Sequence, residues 1–198
     1  MGMKKLGLYG GSFDPPHNAH LALARLARDH LQLDDVKLVV AKDPWQKAGQ
    51  VRASAADRLR MAELAIEGEP RLSIEDCELQ RPGPSFTIDT LDALQAREPD
   101  AQWFLVIGQD QYGRFDTWHR WDEILQRVTL AVAGRAGERP RPAPALAALP
   151  HRAEMLPLPA MALSSSDVRA RVAAGQSIEN MVPPSVAGYI EQRHLYRN

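Results

Sequence analysis

The sequence holds a single cysteine, Cys77, so no internal disulfide can form and the fold must be held by its core. It lacks an apolar run of the length a bilayer demands and lacks an apolar leader behind a basic N-terminus. A membrane span and a secretory signal are therefore not expected, and a reducing cytoplasm is the expected compartment. Neither sign of charge dominates. With 24 basic against 25 acidic residues the net charge is −1, which leaves no global field to gather nucleic acid, so an anionic ligand must be held by a local site. Also missing are CxxC, HExxH, GxSxG and any glycine followed by Lys-Ser or Lys-Thr, which removes the zinc, covalent-nucleophile and Walker-loop readings. No cluster of Asp or Glu offers a cage for magnesium, and no repeat is visible.

What is present begins at Gly7–His20, GLYGGSFDPPHNAH. A short apolar strand, Lys5–Tyr9, runs into Gly10 and Gly11, and a helical pattern begins near Asn18 with His17 and His20 three apart at its start. Glycine lets backbone approach a ligand closely, while the first N–H groups of a helix and its dipole favour negative charge, so this turn reads as a phosphate site. Each feature taken singly is compatible with a tight turn and two surface histidines.

Further along, strands are expected at 36–41, 71–74, 103–107 and 128–132, with an edge strand at 155–158. Helices are expected at 18–31, after Ser54 and Asp57 with Leu59, Ala62 and Ile66 inward, from Ser85 with Ile88, Leu91 and Leu94 inward, at 123–126, after Ser164–Asp167, and at 184–192. Residues 78–84 read as irregular. The Pro- and Ala-rich stretch 134–150 reads as a surface loop, with room for a short helical turn, within one domain spanning 1–198. Strand and helix alternate, which predicts a parallel sheet with right-handed crossovers.

In such a sheet ligands collect beyond the carboxyl ends of the strands, and the polar groups follow that rule. Residues 10–20 follow the first strand, Lys47 the second, Ser85 and Thr87 the third, and 108–118 the fourth, with Ser164–Arg169 closing the crevice. His17, His20, Lys47 and Arg169 can neutralise developing charge, with the histidines acting as donors rather than bases. On local sequence alone Lys47 and Arg169 read equally as solvated charges, and Trp103, Trp118 and Trp121 as packing residues, although Trp118 stands in a polar loop where it could stack a planar ring. Cys77 reads as structural.

These motifs resemble the bacterial nicotinate-nucleotide adenylyltransferases of the HxGH nucleotidyltransferase superfamily. GGSFDPPHNAH is similar to the family's GGxFDPxHxGH, PSFTIDTL to PSYTxxTL, and VIGQD with TWHRWDEIL to IGxD with TWxxxxxIL; LSSSDVRARVAAGQSI with MVPPSVAGYIEQRHLY is similar to the C-terminal pair. Ala19 replaces the glycine between the histidines, and Ser166 replaces a threonine.

The resemblance implies a Rossmann-like α/β fold, an open twisted parallel sheet of five to six strands with helices on both faces. It implies AMP transfer from ATP to nicotinate mononucleotide with release of pyrophosphate, a step in NAD biosynthesis, with Mg2+ arriving on the ATP phosphates and no nucleic-acid or membrane partner. It implies that Gly10, Gly11, Ser12, Phe13, His17, His20, Gly108, Asp110, Ser164, Ser165 and Arg169 bind ATP. Ser12, Lys47, Ser85, Thr87, Asp110, Trp118 and Arg135 would bind the mononucleotide, and His17, His20, Lys47 and Arg169 would be catalytic. Residues 160–198 would complete the ATP site. The same fold with turnover lost, serving as a nucleotide-binding regulator, is the alternative from another class.

Overall fold

A computed structural model describes residues 2–42, 49–134, 138–159 and 161–197. Six strands form one parallel sheet: β1 (Lys5–Gly11), β2 (Asp35–Val40), β3 (Leu72–Glu75), β4 (Gln102–Gly108), β5 (Thr129–Ala133) and β6 (Ala153–Leu156), in the order β3-β2-β1-β4-β5-β6. The chain lays down β1, β2 and β3 in one direction, then returns to the other side of β1 for β4. The reversal opens a crevice beyond the carboxyl ends of β1 and β4.

Helix α1 (Asn18–His30) links β1 to β2, and α2 (Ala55–Ala65) links β2 to β3. The return to β4 runs through α3 (Cys77–Gln80) and α4 (Thr87–Arg97). Then α5 (Gln109–Tyr112) and α6 (Trp121–Arg127) lead to β5, and α7 (Pro144–Ala147) leads to β6. Helices α8 (Ser165–Ala173) and α9 (Pro184–Gln192) end the chain.

Because successive strand residues point to opposite faces, each strand feeds two cores. Val36, Leu38, Val40, Phe104 and Val106 face the core shared with α1, α2, α8 and α9, whereas Leu6, Leu8, Val39, Leu105 and Ile107 face the one shared with α4 and α6. The sheet is covered on both faces, which is why its strands read as near-continuous apolar runs.

Three departures from the expected elements have local causes. Helix α4 starts at Thr87 with Phe86 as its N-cap, because the buried Ser85 is held back by a bond in which its Oγ accepts the Lys42 N–H at 3.1 Å. The stretch expected to be irregular contains α3, while the 134–150 loop holds its short helical turn as α7, whose Leu146 is buried; residue 141 is tied to Gln109 by bonds of 2.7 and 2.9 Å. Ala62 in α2 and Ile66 at its C-terminal cap are buried as expected, but Leu59 is only half-buried and the neighbouring Arg58 is 1 % exposed.

Candidate active site

The turn after β1 is built around Asp14, which is 1 % exposed. Its Oδ2 accepts the Arg52 N–H at 2.7 Å, and its Oδ1 accepts the Ala53 N–H at 3.0 Å and the Tyr196 hydroxyl at 2.8 Å. One carboxylate thus joins the turn, the segment leading into α2 and the C-terminus. The Tyr196 phenol is held far above its usual range, first by burial and then by this anionic partner. Phe13 beside it adopts a left-handed φ of 47° and lays its ring edge-on to His20, with centroids 5.1 Å apart.

From the opposite side Arg58 reaches three carbonyl oxygens, donating to Ser12 at 2.8 Å, Ala41 at 2.6 Å and Lys42 at 3.1 Å. Those carbonyls belong to the loops leaving β1 and β2, so a single planar guanidinium fixes their separation.

His17 is the N-cap of α1 and is buried; its ring stacks on that of His20 at 3.6 Å. The His17 backbone N–H donates to His20 Nδ1 at 3.1 Å. A neutral His20 therefore carries its proton on Nε2 and offers a donor there.

Helix α8 closes on the same turn. Ser165 Oγ donates to the Pro15 carbonyl at 2.9 Å, Arg169 donates to the Asp14 carbonyl at 2.9 Å, and Arg169 also reaches Ser166 Oγ at 3.1 Å. Ser164 caps the helix with a reciprocal bond to Asp167, so the α8 N-terminus is fixed against the start of α1.

Two cavities follow from this arrangement. One of about 200 Å³ is lined by Ser12, His17, His20, Ser164, Ser165 and Arg169 among others. The other, about 310 Å³, is lined by Gly10, Gly11, Ser85, Thr87, Gly108 and Trp118, and shares Ser12 and His20 with the first. Trp118 is half-buried, and its ring packs 4.9 Å from that of Phe115.

Segments far apart in sequence thus meet beyond β1 and β4. Phe13 lies behind His20 in the core and lines neither cavity. Asp110 is exposed and lines a separate shallow hollow with Gln109, Gly113 and Arg114. Lys47 and Arg135 lie outside the described residues. Trp103 is buried mid-strand as a packing residue.

Sequence reasoning missed Asp14 as a junction, Arg58 as a clamp, and Glu78. Glu78 is buried, lines the larger cavity and accepts the Thr90 hydroxyl at 2.5 Å; Thr90 Oγ1 in turn accepts from Arg81 at 2.9 Å. Asp14 stands inside the first motif and could have been suspected there, but an arginine one position off an apolar stripe gives no such signal. The Cys77 thiol is pushed up to about 11, chiefly by burial and then by Glu75, as suits a structural cysteine.

Residues 8–171 match the cytidylyltransferase-like family model. The chain belongs to that family. It is 50% identical over 197 residues, 98% of this chain and 92% of the relative, to a protein of Methylibium petroleiphilum named probable nicotinate-nucleotide adenylyltransferase. It is 51% identical over 98% of its length to a protein of the same name from Bordetella petrii, all of which is covered. Both place the chain among the nicotinate-nucleotide adenylyltransferases, as its motifs lead one to expect. The structure of Plasmodium falciparum nicotinic acid mononucleotide adenylyltransferase complexed with NaAD aligns at a TM-score of 0.79 and 19% identity, over 98% of this chain and 97% of that one, and shares the fold.

Proposed function

We propose that this protein transfers AMP from ATP to nicotinate mononucleotide, giving nicotinate adenine dinucleotide and pyrophosphate. The observation that carries the reading is the pair of cavities joined at Ser12 and His20, one lined by Arg169, His17, His20 and Asp14 and bounded by two helix N-termini, the other flanked by an indole and two hydroxyl residues. The first suits a triphosphate and the second a planar ring. The relatives named for this reaction at about half identity over nearly the whole chain support the same reading.

A phosphate oxygen of the mononucleotide attacks the α-phosphorus of ATP in line. The new P–O bond forms as the bond from that phosphorus to the β-phosphate oxygen breaks, and its electron pair leaves with pyrophosphate. No residue forms a covalent bond. His20 donates from Nε2 to the oxygens on which charge accumulates, while His17 and the α1 N-terminus hold the ring and the phosphates in place.

Arg169, already directed along the turn by the Asp14 carbonyl, meets the outer phosphates together with Ser164 and Ser165 at the start of α8. Gly10, Gly11, Ser12 and Gly108 allow close approach of the nucleotides. Ser85, Thr87 and Trp118 receive the nicotinate ring, and Lys47, Arg135 and Asp110 are assigned with them from the family motifs alone. Magnesium enters on the ATP phosphates as part of the substrate and keeps several waters. The cytoplasm is the compartment that fits a lone thiol and an ATP-dependent step, and no helix among the described residues is long and apolar enough to cross a membrane.

The reading is tested by pyrophosphate release with ATP and each acceptor in turn: nicotinate mononucleotide, nicotinamide mononucleotide and phosphopantetheine. Release with nicotinate mononucleotide well above the others is expected. Silence with it beside a strong signal from another acceptor rejects the assignment, and tight ATP binding with no release from any acceptor favours a regulator. Within the proposed site, Trp118→Ala should raise KM for the mononucleotide about tenfold or more and leave KM for ATP within about twofold, since a ring stacked on an aromatic is worth about 1–3 kcal/mol. An unchanged KM for the mononucleotide would return Trp118 to a packing role against Phe115.

A further inference from the structure

We propose that Tyr196 is a positioning residue for ATP, acting through the Asp14 carboxylate to keep the Arg169 guanidinium available to the triphosphate. This rests on the reading that the smaller cavity receives the triphosphate. Asp14 and Arg169 both line that cavity, and Tyr196 stands behind them.

A carboxylate accepts only, with about four sites to fill. Asp14 fills three: Oδ2 takes the Arg52 N–H at 2.7 Å, and Oδ1 takes the Ala53 N–H at 3.0 Å and the Tyr196 hydroxyl at 2.8 Å. Two of these donors are adjacent main-chain groups of the segment leading into α2. The third is a side chain 182 positions along the chain.

Arg169 lies at the edge of this arrangement. Its Nη1 donates to the Asp14 carbonyl at 2.9 Å and its Nη2 to Ser166 Oγ at 3.1 Å, while Nη1 stays 3.9 Å from Asp14 Oδ2, beyond hydrogen-bond length. A guanidinium carries five N–H donors, so with two used here three remain for phosphate oxygens. Without the phenolic proton, Asp14 becomes a buried charge short of one donor with a cation 3.9 Å away. Such a charge is costly, so the guanidinium shifts from the carbonyl to the carboxylate and its donors leave the phosphates.

Tyr196 is a dependable donor, because burial and then the Asp14 charge hold its phenol far above the usual range and keep it protonated. The segment after α9 bends back to deliver it: the Leu195 N–H meets the Ile190 carbonyl at 3.0 Å, and His194 and Tyr196 both adopt left-handed backbone, with φ of 52° and 62°. Residues in that region persist where surrounding contacts over-determine them.

A second tyrosine supplies the control. Tyr189 on α9 donates its hydroxyl to Asp57 Oδ1 at 2.9 Å, and Asp57, which also accepts the Ser54 hydroxyl at 2.6 Å, lines neither cavity. Tyr189→Phe removes the same group from the same end of the fold and leaves Asp14 untouched.

The test is equilibrium titration with ATP, which needs no acceptor. Tyr196→Phe keeps the ring and should raise Kd for ATP about tenfold, since a charge-assisted bond to phosphate is redirected. Tyr189→Phe should change it less than about twofold. In an Arg169→Ala background Tyr196→Phe should also change Kd less than about twofold, because the group it acts through is gone. A merely structural tyrosine would weaken ATP binding by the same factor in both backgrounds.

An unchanged Kd in Tyr196→Phe, an equal loss in Tyr189→Phe, an equal factor in both Arg169 backgrounds, or a Tyr196→Phe chain that does not fold each overturns the proposal. ATP binding with no pyrophosphate from any acceptor would sink the adenylyltransferase reading alone, and the titrations would still decide this one. No ATP binding by the wild type sinks both.

Discussion

His20→Ala is expected to lower kcat by about two to three orders of magnitude while weakening ATP binding only a few-fold, the ordinary consequence of removing one donor aimed at developing charge. The geometry gives the reason. The His17 N–H holds His20 Nδ1, the Phe13 edge and the His17 face hold the ring, and the residue borders both cavities. On the proposed reading, a donor in that position would meet the oxygens of the phosphorus being transferred. The outer phosphates keep His17, Arg169 and the α8 N-terminus, so ground-state binding survives.

Steady-state pyrophosphate release set beside equilibrium titration with ATP separates the two quantities. Retained turnover with lost affinity would make His20 a binding residue and no more. His20→Asn, which keeps an N–H donor of shorter reach, should recover part of the loss. Thermal unfolding read beside them shows how much of the loss is structural, because the ring packs against Tyr9, Phe13 and His17.

The legible parts of this protein are those where one local pattern has one physical meaning. Helix α9 begins and ends at the expected residues because Pro184 can sit only in a first turn, and the Ser164–Asp167 cap announces α8 by reciprocal bonding within four residues. The strands were visible as apolar runs: β1 and β4 extend a residue or two beyond theirs because ladder bonds continue where side chains turn polar or vanish, as at Gly10 and Gly11, whereas β2, β3 and β5 are shifted by one residue and β6 lies two residues earlier than its apolar stretch. The gathering of His17, His20 and Arg169 was legible through topology, since the carboxyl ends of parallel strands share one edge.

What stayed hidden were polar groups whose partners are main-chain atoms or distant side chains. Nothing near Glu78 in sequence marks it as facing Thr90 and Ser85. Nor does Arg58, between Asp57 and Leu59 in an amphipathic helix, look different from the solvated Arg60. Ser85 illustrates the same limit: it was expected to open α4, and a tertiary bond from Lys42 takes it out of the helix.

Arg58→Met is the second substitution with a large expected effect, and its cost is in stability. The methionine fills part of the volume but leaves the carbonyls of Ser12, Ala41 and Lys42 without the donor that now reaches each of them. A buried acceptor stripped of its partner costs about 1–3 kcal/mol, so a loss of about 3 kcal/mol or more is expected, even if one carbonyl finds water. In a protein of this size that lowers Tm by about 6–12 °C, readable by calorimetry.

Arg58→Lys should recover only part of the loss, because a single ammonium cannot span three carbonyls held by a planar fork. The two loops joined by Arg58 are those that carry Ser12 to the cavity junction and lead out of β2, so KM for ATP should rise with the fall in Tm at temperatures where the variant remains folded. If stability falls and KM for ATP does not move, the clamp holds the core alone. The spacing of the phosphate turn would then rest on Asp14, whose bonds to Arg52, Ala53 and Tyr196 reach the same turn from its other side.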